Sequence, residues 1–459
     1  MNNKLRRNFS LITSIRHWWL GALAAVSMLA ASMGSTAAAD LEETDLKFGF
    51  IKLTDSLPVI IAQEKGFFEE EGLNVTIEAQ SNWKVLLDRV IGGELDGAHM
   101  LPGQAIGATV GIGTKAEMVA PFAMGLNTLA VTVSNEVWEK MKPNIAQEGG
   151  KAKHPVKAEA MKAVVDQFKA EGDSFKMGMV FPTSTHNYML RYWLASGGIH
   201  PGLYSSSDVT GQTDADVLIS VTPPPQMPAT LEAGTISGYC VGEPWNEQAV
   251  KKGIGAPVIT ADEIWSRTPE KVFGMRKDWV EKNPKTTVAI VKALIKAAQW
   301  LDADGGKNRT EAVKIVSQPQ YIGADFDVLV GPLTGEYEYE KGDKRPVPAM
   351  NVYFKDFASY PYYSDAVWYL TQMRRWGQIP EAKPDAWYGE TAKKIYRPDI
   401  YMTAAKALIA EGKAKADDFP ADSEDGYGGP KGVFIDGKAF DAKKPSEYID
   451  SFTIGMKSR

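Results

Sequence analysis

Residues 48–78 read FGFIKLTDSLPVIIAQEKGFFEEEGLNVTIE: a strand, a turn carrying Asp55 and Ser56, a short amphipathic helix and a second strand. That succession is a βαβ unit, and it commits the chain to parallel α/β layering. The alternation continues downstream. Strand-like runs at 46–53, 75–79, 176–181 and 217–221 alternate with helical periodicity over 58–71, 84–92, 186–196 and 226–233. Two such blocks flank a polar stretch, 140–158, which contains Gly149-Gly150 and reads as a surface excursion near a lobe boundary. From residue 268 the segments lengthen, with helical patterns at 285–302 and 366–376 that are expected to pack back on the first lobe. The expected organisation is lobe I from 40–128 and 256–412, and lobe II from 129–255. The tail, 413–459, is rich in Asp, Lys and Gly and is expected to run as an extended wrap or to be partly disordered.

Ahead of this unit, residues 1–39 hold four basic residues, no acidic ones, an apolar stretch over 18–31, and Ala37-Ala38-Ala39 at the end. This is the pattern of an export signal, with cleavage expected before Asp40. Leu5-Arg6-Arg7-Asn8-Phe9-Ser10-Leu11 has the form of a twin-arginine signal. No other apolar run approaches the roughly 18 uncharged residues needed to span a bilayer. After cleavage 47 basic residues face 57 acidic ones, a net charge of −10. That balance argues against nucleic acid and anionic membranes as partners, but not against an anionic ligand, because a pocket answers to its local donors.

The single cysteine, Cys240, sits in an apolar strand-like stretch far from the cleavage site. It allows neither an intramolecular disulfide nor a thiolate metal site, and the residue that would carry a lipid anchor is missing. The mature chain is expected to be a soluble, monomeric periplasmic protein. The sequence has no GxSxG elbow, phosphate loop, HExxH or CxxC motif. An enzyme is therefore not expected.

Six strings narrow the class: Gly66-Phe67-Phe68 with Glu71-Gly72-Leu73; Leu95-Asp96-Gly97-Ala98-His99; Thr185-His186-Asn187 with Arg191-Tyr192-Trp193-Leu194-Ala195; Pro223-Pro224-Pro225-Gln226-Met227; Cys240-Val241-Gly242-Glu243-Pro244-Trp245-Asn246; and Pro269 to Arg276, PEKVFGMR. Over about residues 45–400 the chain resembles the nitrate/bicarbonate branch of periplasmic substrate-binding proteins for ABC transporters. The resemblance implies a type II periplasmic binding protein, two α/β lobes with a central ligand cleft. It implies capture of a small inorganic oxyanion, nitrate or nitrite, for an inner-membrane ABC permease and its ATPase, without a cofactor. Bicarbonate binding with calcium, organic sulfonate binding, a nitrate-sensing receptor and an enzyme of the thiamine-precursor branch are the alternatives.

A small planar oxyanion must find substitutes for its hydration shell, and helix N-termini and neutral or cationic side-chain donors can supply them. The turn Thr183-Ser184-Thr185 and the turn Asp55-Ser56 both precede helices and are candidates. The resemblance places an anion-contacting histidine at His186 and an indole donor at Trp83. It implies that Lys271 supplies the positive charge in a nitrate binder, whereas Glu270 would hold calcium in a bicarbonate binder. Gln226 and Glu243 are expected on the hinge side of lobe II, Glu243 in an internal hydrogen-bond network or at a metal. His99 is expected to line the cleft floor. Two departures stand out: Thr128-Leu129-Ala130 lacks the family's glutamine, leaving Asn127 as the nearby amide, and residues 203–214 look like a loop insertion.

Overall fold

The computed structural model describes residues 41–421, 425–428 and 432–459; the expected export signal lies outside them. Two five-stranded sheets form the lobes. The first is built from β1 (Asp45–Phe50), β2 (Asn74–Ala79), β3 (Gly97–Met100) and β4 (Met118–Leu126). The chain then lays down β5 (Leu129–Ser134), β6 (Phe175–Met179), β7 (Val217–Val221), β8 (Gly238–Gly242) and β9 (Gly255–Thr260) in the second sheet, and returns to the first with β10 (Pro269–Arg276). The orders are β2-β1-β3-β10-β4 and β9-β5-β8-β6-β7. Pairings in the βαβ portions are parallel, while β10 and β5 each run antiparallel to both neighbours. These two strands are the ones that follow the crossings between lobes.

The crossings pass through residues 127–128 and 261–268. The second falls later than expected from sequence, because Gly255–Thr260 is fully buried and pairs with β5. Lobe II therefore extends to Thr260 and not to residue 255. Similarly, the helical run expected over 58–71 is two helices, Leu57–Glu64 and Phe67–Glu70. Gly66 separates them at φ 71°, a left-handed conformation that costs glycine little.

Beyond β10, helices Pro284–Asp302, Tyr363–Arg375, Asp385–Ile395 and Pro398–Ala410 pack on lobe I. A short hairpin, Glu336–Glu338 with Lys344–Pro346, crosses to lobe II. There Tyr337 donates to Glu243, and Lys251, Lys151 and Lys142 pair with Glu338, Asp343 and Glu340. The described part of the tail is anchored. Phe434 stacks on Trp265 at 4.7 Å and on Tyr192 at 4.9 Å, and helix Pro445–Asp450 packs on helix Tyr363–Arg375. Its few aromatic residues supply the burial that its average composition conceals.

The loop 203–214 is held from within. The Asp208 carboxylate accepts N–H bonds from Thr210, Gly211 and Gln212 and hydroxyl bonds from Thr210 and Thr213. The buried Arg191 guanidinium donates to the carbonyls of Pro201, Gly202 and Gly211 beneath it. Among the described residues, no helix is long and apolar enough to cross a membrane.

Candidate functional site

At the meeting of the lobes lies a cluster of buried ionisable groups centred on Asp55, in the turn after β1. Lys271 Nζ donates to Asp55 Oδ2 at 2.6 Å and to Glu270 Oε2 at 3.2 Å. Thr128, from the first crossing, donates its hydroxyl to Asp55 Oδ2 at 2.9 Å. His99 Nδ1 accepts from the Ile51 N–H, which leaves the ring proton on Nε2, 2.7 Å from Asp55 Oδ1. All four ionisable side chains are at most 1% exposed.

Glu270 and Lys271 are consecutive on a strand, where side chains ordinarily face opposite ways. The β10–β4 register shifts on both sides of Lys271, and that irregularity lets both side chains meet the same cluster. The antiparallel pairing of Phe273 with His99 in β3 sets β10 beside the His99 strand.

Around this core stand polar atoms that are buried and have no hydrogen-bond partner: Trp83 Nε1, Thr183 Oγ1, Glu270 Oε1 and both ring nitrogens of His186. Buried polar groups in folded proteins are almost always paired, so several orphans in one place are a mark of a ligand site. Asn82 caps helix Trp83–Ile91, and Ser184 caps helix Thr185–Ser196 by accepting from the Asn187 N–H. These caps place Trp83 and His186 in the first turns of their helices, where the N–H groups lack intrahelical acceptors. Lys271 Nζ lies 5.9 Å from the centre of the Trp83 ring, and Trp83 lies against His99 at 5.3 Å. A Cβ on Gly242 would fall 3.5 Å from Asp55 Oδ2 and 3.7 Å from His186 Nε2, so this glycine leaves the space between them open.

The charge states follow from the same geometry. Burial works against the Lys271 ammonium, but Asp55 and Glu270 outweigh it and raise its pKa. Burial also opposes ionisation of Asp55, yet Lys271 and His99 hold it well below the usual carboxylate range. Glu270 is pushed up to about 7, chiefly by burial, with Asp55 adding to the rise and Lys271 opposing it. Burial and then Lys271 keep His186 well below the ordinary imidazole value; His99 is lowered by burial. At neutral pH the cluster is one ammonium, one carboxylate, one titrating carboxyl and two neutral imidazoles.

Of the residues singled out from sequence, the structure brings together Trp83, His186, Lys271 and Glu270, with Thr185 beside them. The Thr185 hydroxyl is already engaged by Tyr369 and by the Glu270 carbonyl, which leaves only the Thr185 N–H for a ligand. Glu243 lies in the internal network. It accepts from Asn246, Tyr337 and the Glu247 N–H, and its pKa is pushed up to about 8, first by burial. Asn127 is not a free amide. It donates to Asp262 and to the Ala349 carbonyl, and accepts from the Thr268 N–H, so it ties the two crossings together. Gln226 is exposed, ahead of helix Met227–Glu232, and does not join the cluster. The Asp55 carboxylate as the partner of Lys271 and the spacing role of Gly242 have no signature in the sequence, although the turn that carries Asp55 stands out. Among the described residues, no group of three or more His, Cys, Asp or Glu side chains is placed to hold a metal ion.

Two mixed α/β sheets joined by two crossings, with a sealed polar site where they meet, define a type II periplasmic binding protein fold. The NMT1-like family matches residues 39–317, and the chain belongs to that family. The nitrate/nitrite binding protein NrtA of Nostoc sp. is 36% identical over 431 residues, which is 93% of this chain and 89% of that one. The nitrate import ATP-binding protein NrtC of Synechocystis sp. is 35% identical over 94% of this chain but only 58% of its own length. The crystal structure of the periplasmic nitrate-binding protein NrtA from Synechocystis superposes with a TM-score of 0.78 at 32% identity, covering 90% of this chain and all of that one.

Proposed function

We propose that this chain is the periplasmic solute-binding component of an ABC importer, that it captures nitrate or nitrite between its lobes, and that it performs no chemistry of its own. The observation that carries this reading is the juxtaposition of a buried Lys271 ammonium with neutral donors that have no partner in the protein, Trp83 Nε1 and His186. Nitrate presents acceptor oxygens only, and such donors match it. Lys271 is already neutralised by Asp55, so an entering anion adds one unit of negative charge. A Glu270 that becomes protonated offsets that charge and turns Oε1 into a further donor.

One feature favours bicarbonate as a second reading. The O–H of bicarbonate needs an acceptor, and Glu270 Oε1 is a buried acceptor without a partner. Against calcium, the Lys271 ammonium already stands between Asp55 and Glu270, in the position a bridging cation would take. The NrtC relative, named for ATP binding, supports an ATPase partner and, with it, a permease. The export signal expected in residues 1–39 would place the mature chain free in the periplasm.

Isothermal titration of residues 40–459 with nitrate, nitrite, and bicarbonate with calcium or with chelator tests the assignment. Saturable nitrate or nitrite binding that ignores chelator is the expected result. Bicarbonate binding that chelator abolishes would replace it.

A further inference from the structure

We propose that Tyr369 is a positioning residue for anion binding, clasping the strand that carries Lys271 to the helix that carries His186. The inference rests on the reading of those two side chains as ligand residues. Tyr369 lies outside the span that the family matches, on helix Tyr363–Arg375, which packs on the lobe I helix Pro102–Val110. It is fully buried. Its hydroxyl donates to the Pro269 carbonyl at 2.7 Å and lies 2.7 Å from Thr185 Oγ1. A phenol has one proton; with that proton on Pro269, Thr185 is the donor across the second contact. Thr185 shares its one proton with the Glu270 carbonyl, 3.2 Å from Oγ1.

The positions of the partners give this small network its consequence. Pro269 and Glu270 open β10 immediately before Lys271, and Thr185 opens its helix immediately before His186. Tyr369 belongs to the body of lobe I, whereas Thr185 belongs to lobe II. The Tyr369–Thr185 hydrogen bond links the two, and it sets the spacing of Lys271 and His186 without touching the anion. One hydroxyl meets a backbone carbonyl at the strand and a side-chain hydroxyl at the helix. Packing of the Tyr369 ring against Tyr188 and Trp368 holds that hydroxyl in place.

The test uses residues 40–459 as wild type, Tyr369→Phe, Thr185→Val and the double variant, titrated with nitrate. Tyr369→Phe keeps the ring and removes the hydroxyl. It is expected to weaken nitrate binding about three- to tenfold, with the loss in the dissociation rate. Thr185→Val should do the same, and the losses in the double variant should be less than additive, because both substitutions remove the Tyr369–Thr185 contact. Tyr401→Phe, which removes a buried hydroxyl bonded to Ser359, should lower thermal stability and leave nitrate affinity unchanged. Wild-type affinity in Tyr369→Phe, or additive losses in the double variant, would overturn the clasp. If the wild type binds no nitrate, the ligand reading fails by itself, and hydrogen exchange decides the clasp. Faster exchange in Tyr369→Phe at residues 185–187 and 270–272, with the lobe cores unchanged, supports it; unchanged exchange there overturns it.

Discussion

A lysine ammonium in a water-free interior is tolerable only if its charge is met on the spot, and for Lys271 this is done by Asp55 at 2.6 Å. Lys271→Met should abolish nitrate binding and, by leaving Asp55 as an uncompensated buried charge, destabilise the fold by about 3–5 kcal/mol in chemical denaturation. Adding Asp55→Asn should restore much of the stability and none of the binding. Recovery of binding in that double variant would show that Lys271 is not the anion's partner. Trp83→Phe keeps an aromatic ring in the site but loses the indole N–H, and titration should show nitrate binding about five- to tenfold weaker. Trp83, His186 and Lys271 are singled out through the family resemblance that their short strings carry. Asp55 is visible as part of a turn, but nothing local says that its carboxylate meets a lysine 216 positions away. Asn127 and Gln226 mislead for the converse reason. An amide near a cleft in sequence becomes a hinge tie or an exposed side chain once long-range partners are placed.

At the scale of elements, local signals locate most strands and helices, and fail where backbone geometry or a few side chains override the average. Gly66 divides a helix that periodicity joins, and Phe434, Tyr448 and Phe452 anchor a tail that composition describes as polar. The register shift in β10 at Lys271 has no signature in PEKVFGMR, yet it lets Glu270 and Lys271 share one cluster. Around the second crossing and the hairpin, burial produces a definite pH dependence. Glu243, Glu247 and Glu270 are raised from 4.5 to about 8, 7 and 7, in each case chiefly by burial. Folded values above the unfolded value mean that this stabilisation is fully present below about pH 4.5 and is lost as pH rises through 7 to 8. Asp55 acts in the opposite sense: its contribution is present above its unfolded value of 3.8 and is lost as pH falls below it. Calorimetry should therefore show the melting temperature falling from pH 5 to pH 8.5. Glu243→Gln, which removes the group raised furthest, should flatten that decline, and an unchanged slope would place the titration elsewhere.

In the molecule as a whole, the candidate site is sealed. Asp55, His99, His186 and Glu270 have no exposed surface, so an anion can enter or leave only if the lobes separate about the crossings at 127–128 and 261–268. The Asn127 ties to Asp262 and Thr268 make those crossings move together. Small-angle scattering should show a smaller radius of gyration at saturating nitrate than without it; equal radii would rule out lobe closure on binding. Whether one anion sits among Lys271, Trp83 and His186 is decided by a crystal structure of the nitrate complex. A single nitrate within hydrogen-bond distance of Lys271 Nζ, Trp83 Nε1 and one ring nitrogen of His186 is the expected result. Nitrate bound elsewhere, with Trp83 Nε1 and His186 still unpartnered, would contradict it.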